Sequence, residues 1–189
     1  MINNLDIYLD KAKALHGDCC AGIVLGTRLT LAALKALGLD PEQRHKNLIV
    51  FVEIDRCMTD AIQAITGCTL GHRNLKYINY GKFGAIFYDL DSKQAVRVTE
   101  QRGPREHAGG DIATVFRNTP DEELIQIEDV DIKLDKKELP GKPEHIEACE
   151  QCGELVFDDR LVLADSKRVC LACADGAYYT PCQSEGKEQ

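Results

Sequence analysis

Two stretches of the chain bring soft and imidazole side chains to spacings at which they could share a metal ion. In the last quarter, Cys149-Glu150-Gln151-Cys152 is followed, after seventeen intervening residues, by Cys170-Leu171-Ala172-Cys173. Two residues between thiolates let both sulfurs converge on one ion from a tight turn, and two such knuckles supply the tetrahedral four-sulfur shell that zinc favours. Gly153 helps the first knuckle turn. A redox dithiol would account for only one of the two pairs, so the spacing predicts structural zinc on Cys149, Cys152, Cys170 and Cys173.

The second stretch is His16-Gly17-Asp18-Cys19-Cys20-Ala21-Gly22, immediately before a long apolar segment. His16 and Cys20 are four apart and share a face if the segment is already helical. If it is the loop leading into the helix, His16 and Asp18 both face that helix's N-terminus. Cys57 is expected in the first turn of another helix, where the dipole stabilises a thiolate and makes it a better ligand or nucleophile. His16, Asp18, Cys20 and Cys57 are therefore candidates for a core metal site. A second reading stands beside this one, because a free cysteine is most often a buried apolar filler and a lone histidine a hydrogen-bonded core residue. Cys19, Cys68 and Cys182 are read as filler or surface thiols. Cys68 lies about three helical turns beyond Cys57, too far to share one ion with it.

Other constellations carry less. Thr66-Gly67-Cys68-Thr69-Leu70-Gly71 has two glycines but follows a helix and lacks the Lys-Ser/Thr pair of a phosphate loop. Arg102, Arg105 and His107 on a glycine-rich loop could hold an anion, but a solvated loop is the preferred reading.

The elements that must position these residues are legible in outline. Residues 2–15 carry a loose helical spacing of apolar side chains, and 21–37 are apolar on more than one stripe, which predicts a largely buried helix stopped by Gly38 and Asp40-Pro41. Residues 48–54 form a nearly continuous β-branched and aromatic run suited to a central strand buried on both faces. Asp55 is the expected N-cap of a helix through Ile65, ended by Gly67. A strand is expected over 75–80, then a hairpin of 84–90 and 94–99 turning at Asp91-Ser92-Lys93, a loop over 102–110 and a short helix over 120–127. In the tail, 154–160 and 161–169 are expected to pair around Asp158-Asp159, with the second cysteine pair opening a helix through Ala177: the knuckle, hairpin and helix of a treble-clef finger. The domains expected are a core over 1–132, a Lys- and Pro-bearing linker over 133–143 and a zinc finger over 144–189.

The whole chain of 189 residues carries a formal charge of -8. That balance argues against nucleic acid or an anionic membrane as main partner. Residues 144–189 alone hold four Lys and Arg against ten Asp and Glu, a net -6, so the finger is expected to stabilise the tail or dock on protein rather than grip phosphate. With no signal region and no apolar run near the roughly 20 residues of a membrane span, a soluble cytoplasmic protein is expected. In that setting the nine cysteines point to metals or reactive thiols rather than disulfides.

Taken in order, His16 to Gly22, Asp55-Arg56-Cys57-Met58-Thr59-Asp60-Ala61-Ile62-Gln63, Thr66 to Gly71 and Tyr80-Gly81-Lys82 resemble the FmdE family, named for a component of formylmethanofuran dehydrogenase. The resemblance covers roughly residues 10–130, and a C-terminal treble-clef finger is an accessory of the same family. It implies an α+β core with a mixed sheet and packed helices, a homodimer, and a link to the tungsten or molybdenum enzyme that interconverts carbon dioxide and formylmethanofuran in methanogenesis, with the pterin cofactor and the reaction on other subunits. His16, Cys20, Cys57 and Lys82 fall on matching positions. Asp18 stands where the family pattern has a second His, and Ala21 where it has Pro. Asp can still ligate a hard or borderline metal.

Three functions follow as expectations. The first is an FmdE-type accessory protein of a molybdo- or tungstoenzyme system, with zinc in the tail and a second metal in the core. The second is a stand-alone enzyme whose core metal activates water or a carbonyl at an open coordination position. The third is a protein-interaction module with an inert core.

Overall fold

The protein was analysed as a computed structural model, which describes residues 5–101 and 111–182. The loop expected over 102–110, with Arg102, Arg105 and His107, lies outside the described residues. The chain divides into two compact units, residues 1–140 and 141–189.

In the first unit, α1 (Leu5–His16) and α2 (Ala21–Ala36) precede β1 (Leu48–Val52). α3 (Met58–Thr66) then crosses to β2 (Leu75–Tyr77), which lies parallel to β1. β3 (Gly84–Asp89) and β4 (Gln94–Glu100) form the expected hairpin, with Asp89 accepting from the amide and hydroxyl of Ser92 in the turn. The strand order β2-β1-β3-β4-β5, with β5 over Ile125–Asp129, places β1 inside the sheet, as its unbroken apolar run requires. Leu48, Val50 and Val52 face the helices with Ala85, Phe87, Val96 and Val98, while Ile49, which they alternate with, is also fully buried. Burying a side chain such as Phe87 contributes about 1.5–3 kcal/mol. The fold is thus α+β, with a mixed sheet and packed helices.

The strands expected over 48–54 and 75–80 end earlier, at Val52 and Tyr77, and three further differences from the sequence-based expectation concern the helices. Asp55 does not cap α3: Cys57 occupies the N-cap itself, two residues nearer the helix, and Gly67 closes the far end at φ 69°. The helix expected over 120–127 is a single turn, α5 (Asp121–Leu124), after which Ile125–Asp129 extends as β5 and pairs antiparallel with β4. Pairing with Glu100 and Thr99 satisfies backbone groups that a free-standing short helix would leave to water. The third difference is α4 (Ile112–Asn118), which the sequence pattern does not signal and whose N-cap Asp111 accepts from the amides of Ala113 and Thr114. The Arg28 guanidinium of α2 bonds the carbonyls of Phe116 and Thr119 and the Asp121 carboxylate, holding α4 and α5 in place. Lys136–Glu138 forms one 3-10 turn within the first unit, where Glu138 accepts from Lys76 Nζ at 3.0 Å.

Among its described residues the second unit has four short strands and a short helix. β6 (Ile146–Ala148) pairs with β7 (Leu155–Phe157) across the first cysteine knuckle, and β8 (Val162–Ala164) pairs with β9 (Lys167–Val169) before α6 (Leu171–Asp175). The hairpin therefore turns at Asp165-Ser166 and not, as expected, at Asp158-Asp159. All four residues have positive φ, but the earlier pair makes a corner between β7 and β8. The order of knuckle, hairpin and helix is retained.

Candidate metal centres

The core site is assembled by two helix starts and one helix end. α1 ends at His16, Gly17 turns the chain at φ 103°, and Cys20 becomes the N-cap of α2. Cys57 is the N-cap of α3, and Asp60 lies in that helix's first turn. The donor atoms of His16, Cys20 and Cys57 all lie within 4.8 Å of one another, and each residue is half-buried. His16 Nε2 is 3.8 Å from Cys20 Sγ.

Two glycines let the helix starts approach this closely. A Cβ on Gly26 would stand 2.7 Å from Met58 Cα, and one on Gly22 would stand 3.0 Å from Cys57 Cβ and 3.3 Å from its Sγ. Glycines one turn apart on α2 thus make the flat face on which the start of α3 rests, bringing Cys57 to Cys20.

Asp60 joins the site although sequence reasoning assigns it no role. Its Oδ2 lies 2.8 Å from His16 Nδ1, so the carboxylate accepts a hydrogen bond from Nδ1–H and, in the neutral ring, leaves the Nε2 lone pair on the Cys20 side. A ligating histidine held through its other nitrogen by a carboxylate is the usual outer-shell arrangement of metal sites. The only available signal was the three-residue step from Cys57 to Asp60, which puts both on one helix face.

The electrostatics set the two thiols apart. The Asp60 hydrogen bond lifts the His16 pKa above its ordinary value, against the opposing effect of burial. Burial pushes the Cys20 thiol up, but the backbone N–H of Ile23, the Cys57 thiol, the Gly22 N–H and His16 together outweigh it, so Cys20 ends below an ordinary cysteine. Cys57 is raised, by burial first and then by its neighbour Cys20.

The remaining candidates lie differently. Asp18 Oδ1 is 3.7 Å from His16 Nε2, but its side chain is 76% exposed and it is not one of the three gathered donors. Lys82 holds its ammonium 5.8 Å from the Tyr80 ring centre and makes no hydrogen bond to His16, Cys20 or Cys57. Cys68 is buried, donates to the Leu48 carbonyl and is pushed up to about 11 by burial, the behaviour of a filler. Cys19 and Cys182 are exposed.

In the second unit the donor atoms of Cys149, Cys152, Cys170 and Cys173 also fall within 4.8 Å of one another. Cys152 Sγ and Cys170 Sγ are 4.0 Å apart, close to the about 3.8 Å edge of a tetrahedron with zinc–sulfur bonds of about 2.3 Å. The Cys170 amide donates to Cys149 Sγ at 3.3 Å. Without a metal these thiols ionise unequally: backbone N–H groups, that of Cys152 foremost, hold Cys149 down to about 6, while the neighbouring Cys170 pushes Cys173 up to about 12. A divalent cation is what lets four such close sulfurs ionise together.

A family model described as FmdE, molybdenum formylmethanofuran dehydrogenase operon, matches residues 15–138, a span that includes His16, Cys20, Cys57 and Asp60. The chain belongs to the FmdE family. A second model, the prokaryotic dksA/traR C4-type zinc finger, matches residues 142–179 and with them all four tail cysteines, so family and geometry agree on a small zinc-binding tail. Among solved structures the FmdE fold is similar to that of a tungsten formylmethanofuran dehydrogenase FmdE-like protein from Syntrophus aciditrophicus, with TM-score 0.65, 24% identity, and coverage of 93% of this chain and 95% of that one. Among curated proteins it is similar to a probable S-adenosyl-L-methionine-binding protein of Archaeoglobus fulgidus, 27% identical over 205 residues. That match takes in 94% of this chain and 55% of the relative, so the chain spans about half the length of the curated protein it matches. Among the described residues no helix is long and apolar enough to cross a membrane.

Proposed function

We propose that the FmdE unit holds a borderline or soft divalent metal through His16, Cys20 and Cys57, and that the protein serves as an accessory component of a molybdenum or tungsten formylmethanofuran dehydrogenase-type system. The observation that carries this reading is the convergence of the three donors with Asp60 behind His16. One imidazole and two thiolates suit zinc and its neighbours, and three protein ligands leave a fourth position open. The metal would supply Lewis acidity there. Asp60 fixes the His16 tautomer, and the backbone N–H groups at the start of α2 stabilise the Cys20 thiolate. The association with a dehydrogenase rests on family membership and on the solved FmdE-like neighbour.

A second reading draws on the open position: a stand-alone enzyme would use it for water or substrate. S-adenosyl-L-methionine, the ligand in the name of the curated relative, is the first small molecule to titrate. Metal counting on purified, metal-replete protein tests the primary proposal. The wild type is expected to carry two equivalents per chain, and a Cys20→Ser, Cys57→Ser variant one. Equal content in both would remove the core metal from the account.

A further inference from the structure

Cys20 and Cys57 are 37 positions apart in the chain, yet they meet at the N-caps of two helices that Gly22 allows almost to touch. Their sulfurs lie within 4.8 Å, and a Cβ on Gly22 would touch both, at 3.3 Å from Cys57 Sγ and 3.7 Å from Cys20 Sγ. A shift of a few ångströms between two helix starts is all that separates this contact from a sulfur–sulfur bond of about 2.05 Å. Both thiols are half-buried, so a small oxidant can reach them, whereas the fully buried Cys68 is shielded.

We propose that Cys20 and Cys57 form a reversible disulfide in the metal-free protein, so that the core site is a redox-controlled one in which metal and disulfide exclude each other. The oxidant class is a small peroxide. The Cys20 sulfur attacks one peroxide oxygen, the O–O bond breaks, and a sulfenic acid and water are produced. The Cys57 sulfur then attacks the sulfenic sulfur; the S–S bond forms, the S–O bond breaks, and the Cys57 proton leaves with the hydroxide as a second water. Two thiols are oxidised by two electrons and hydrogen peroxide is reduced to two waters. A dithiol reductant reverses the step by thiol–disulfide exchange. The mutual exclusion rests on the metal reading above, since a disulfide removes both thiolate ligands at once; disulfide formation itself does not.

The test uses the full wild-type chain, metal-free and metal-loaded, exposed to hydrogen peroxide, alkylated and digested with trypsin. The expected product from the metal-free protein is a cross-link between peptides 14–28 and 57–73, lighter by two hydrogens than the sum of its parts, with fragmentation placing the bond on Cys20 and Cys57 rather than on Cys19 or Cys68. It should vanish with dithiothreitol and in a Cys57→Ser variant, and zinc loading should slow it at least tenfold. Peptide 57–73 recovered unlinked, or carrying only sulfinic or sulfonic acid at Cys57, overturns the proposal even if the core binds metal. A cross-link forming equally fast with zinc present leaves the disulfide standing but overturns the exclusion, and with it the metal reading.

Discussion

The two thiol clusters sit in units built in opposite ways. In residues 141–182 the strands are three residues long, Leu155, Leu163, Leu171 and Tyr178 are exposed, and only Cys149 and Val169 are buried hydrophobics. So little apolar surface cannot offset the entropy of ordering the segment. The first unit instead buries α2, β1 and their neighbours almost completely, and its three donors are by-products of where helices must end and begin. The tail's fold is expected to depend on zinc, whereas the core's three donors are placed by the fold itself. Each variant below separates those two dependences.

The largest effect should come from stripping the tail. Zinc in small finger domains contributes about 10–16 kcal/mol of apparent folding energy. Chelation, or Cys149→Ser, is expected to abolish amide-exchange protection throughout 141–182 while leaving β1 and α2 protected; a tail that stayed protected would erase the contrast. Gly26→Ala comes next, because its Cβ meets Met58 backbone at 2.7 Å. Overpacking there should cost about 1–3 kcal/mol, read as a lower thermal midpoint for the first unit together with weaker core metal binding and intact tail zinc. Asp60→Asn should leave the fold in place but weaken core metal affinity about 10–100-fold by competition titration, with tail affinity unmoved.

A pH effect separates the two sites more gently. His16 has its folded pKa raised, chiefly by Asp60, so the stability this pair gives the metal-free protein is complete below the unfolded value of 6.5 and lost as pH rises through the higher folded value. Asp60→Asn should flatten that slope in chemical denaturation of the metal-free chain. The smallest effect is expected from Asp18→His, which would restore the usual family pattern. Because Asp18 is largely exposed and outside the gathered trio, core metal content and selectivity should change little.

Much of this was legible because local chemistry and global fold agree. The continuous run over 48–54 had to be an interior strand, and paired CxxC spacing had to converge. What escaped was decided by contacts distant in sequence. Ile125 and Ile127 look like the end of a helix until β4 supplies their partners, Glu100 and Val98. Two polar pairs with positive φ, Asp158-Asp159 and Asp165-Ser166, offer the same turn chemistry, and only strand pairing tells corner from hairpin. Asp60 meets His16 across 44 positions because α1 packs on α3, and a spacing rule cannot carry that contact. Lys82, placed at the site by family resemblance alone, is found on Tyr80.

The central claim is that the first unit binds its own metal without help from the tail. X-ray absorption at the zinc edge, on full-length chain with Cys149, Cys152, Cys170 and Cys173 all replaced by Ser and loaded with zinc, tests it directly. One bound zinc is expected, with two sulfur neighbours at about 2.3 Å and nitrogen or oxygen neighbours at about 2.0–2.1 Å. A folded variant that holds no zinc, or whose zinc has no sulfur neighbour, would contradict it.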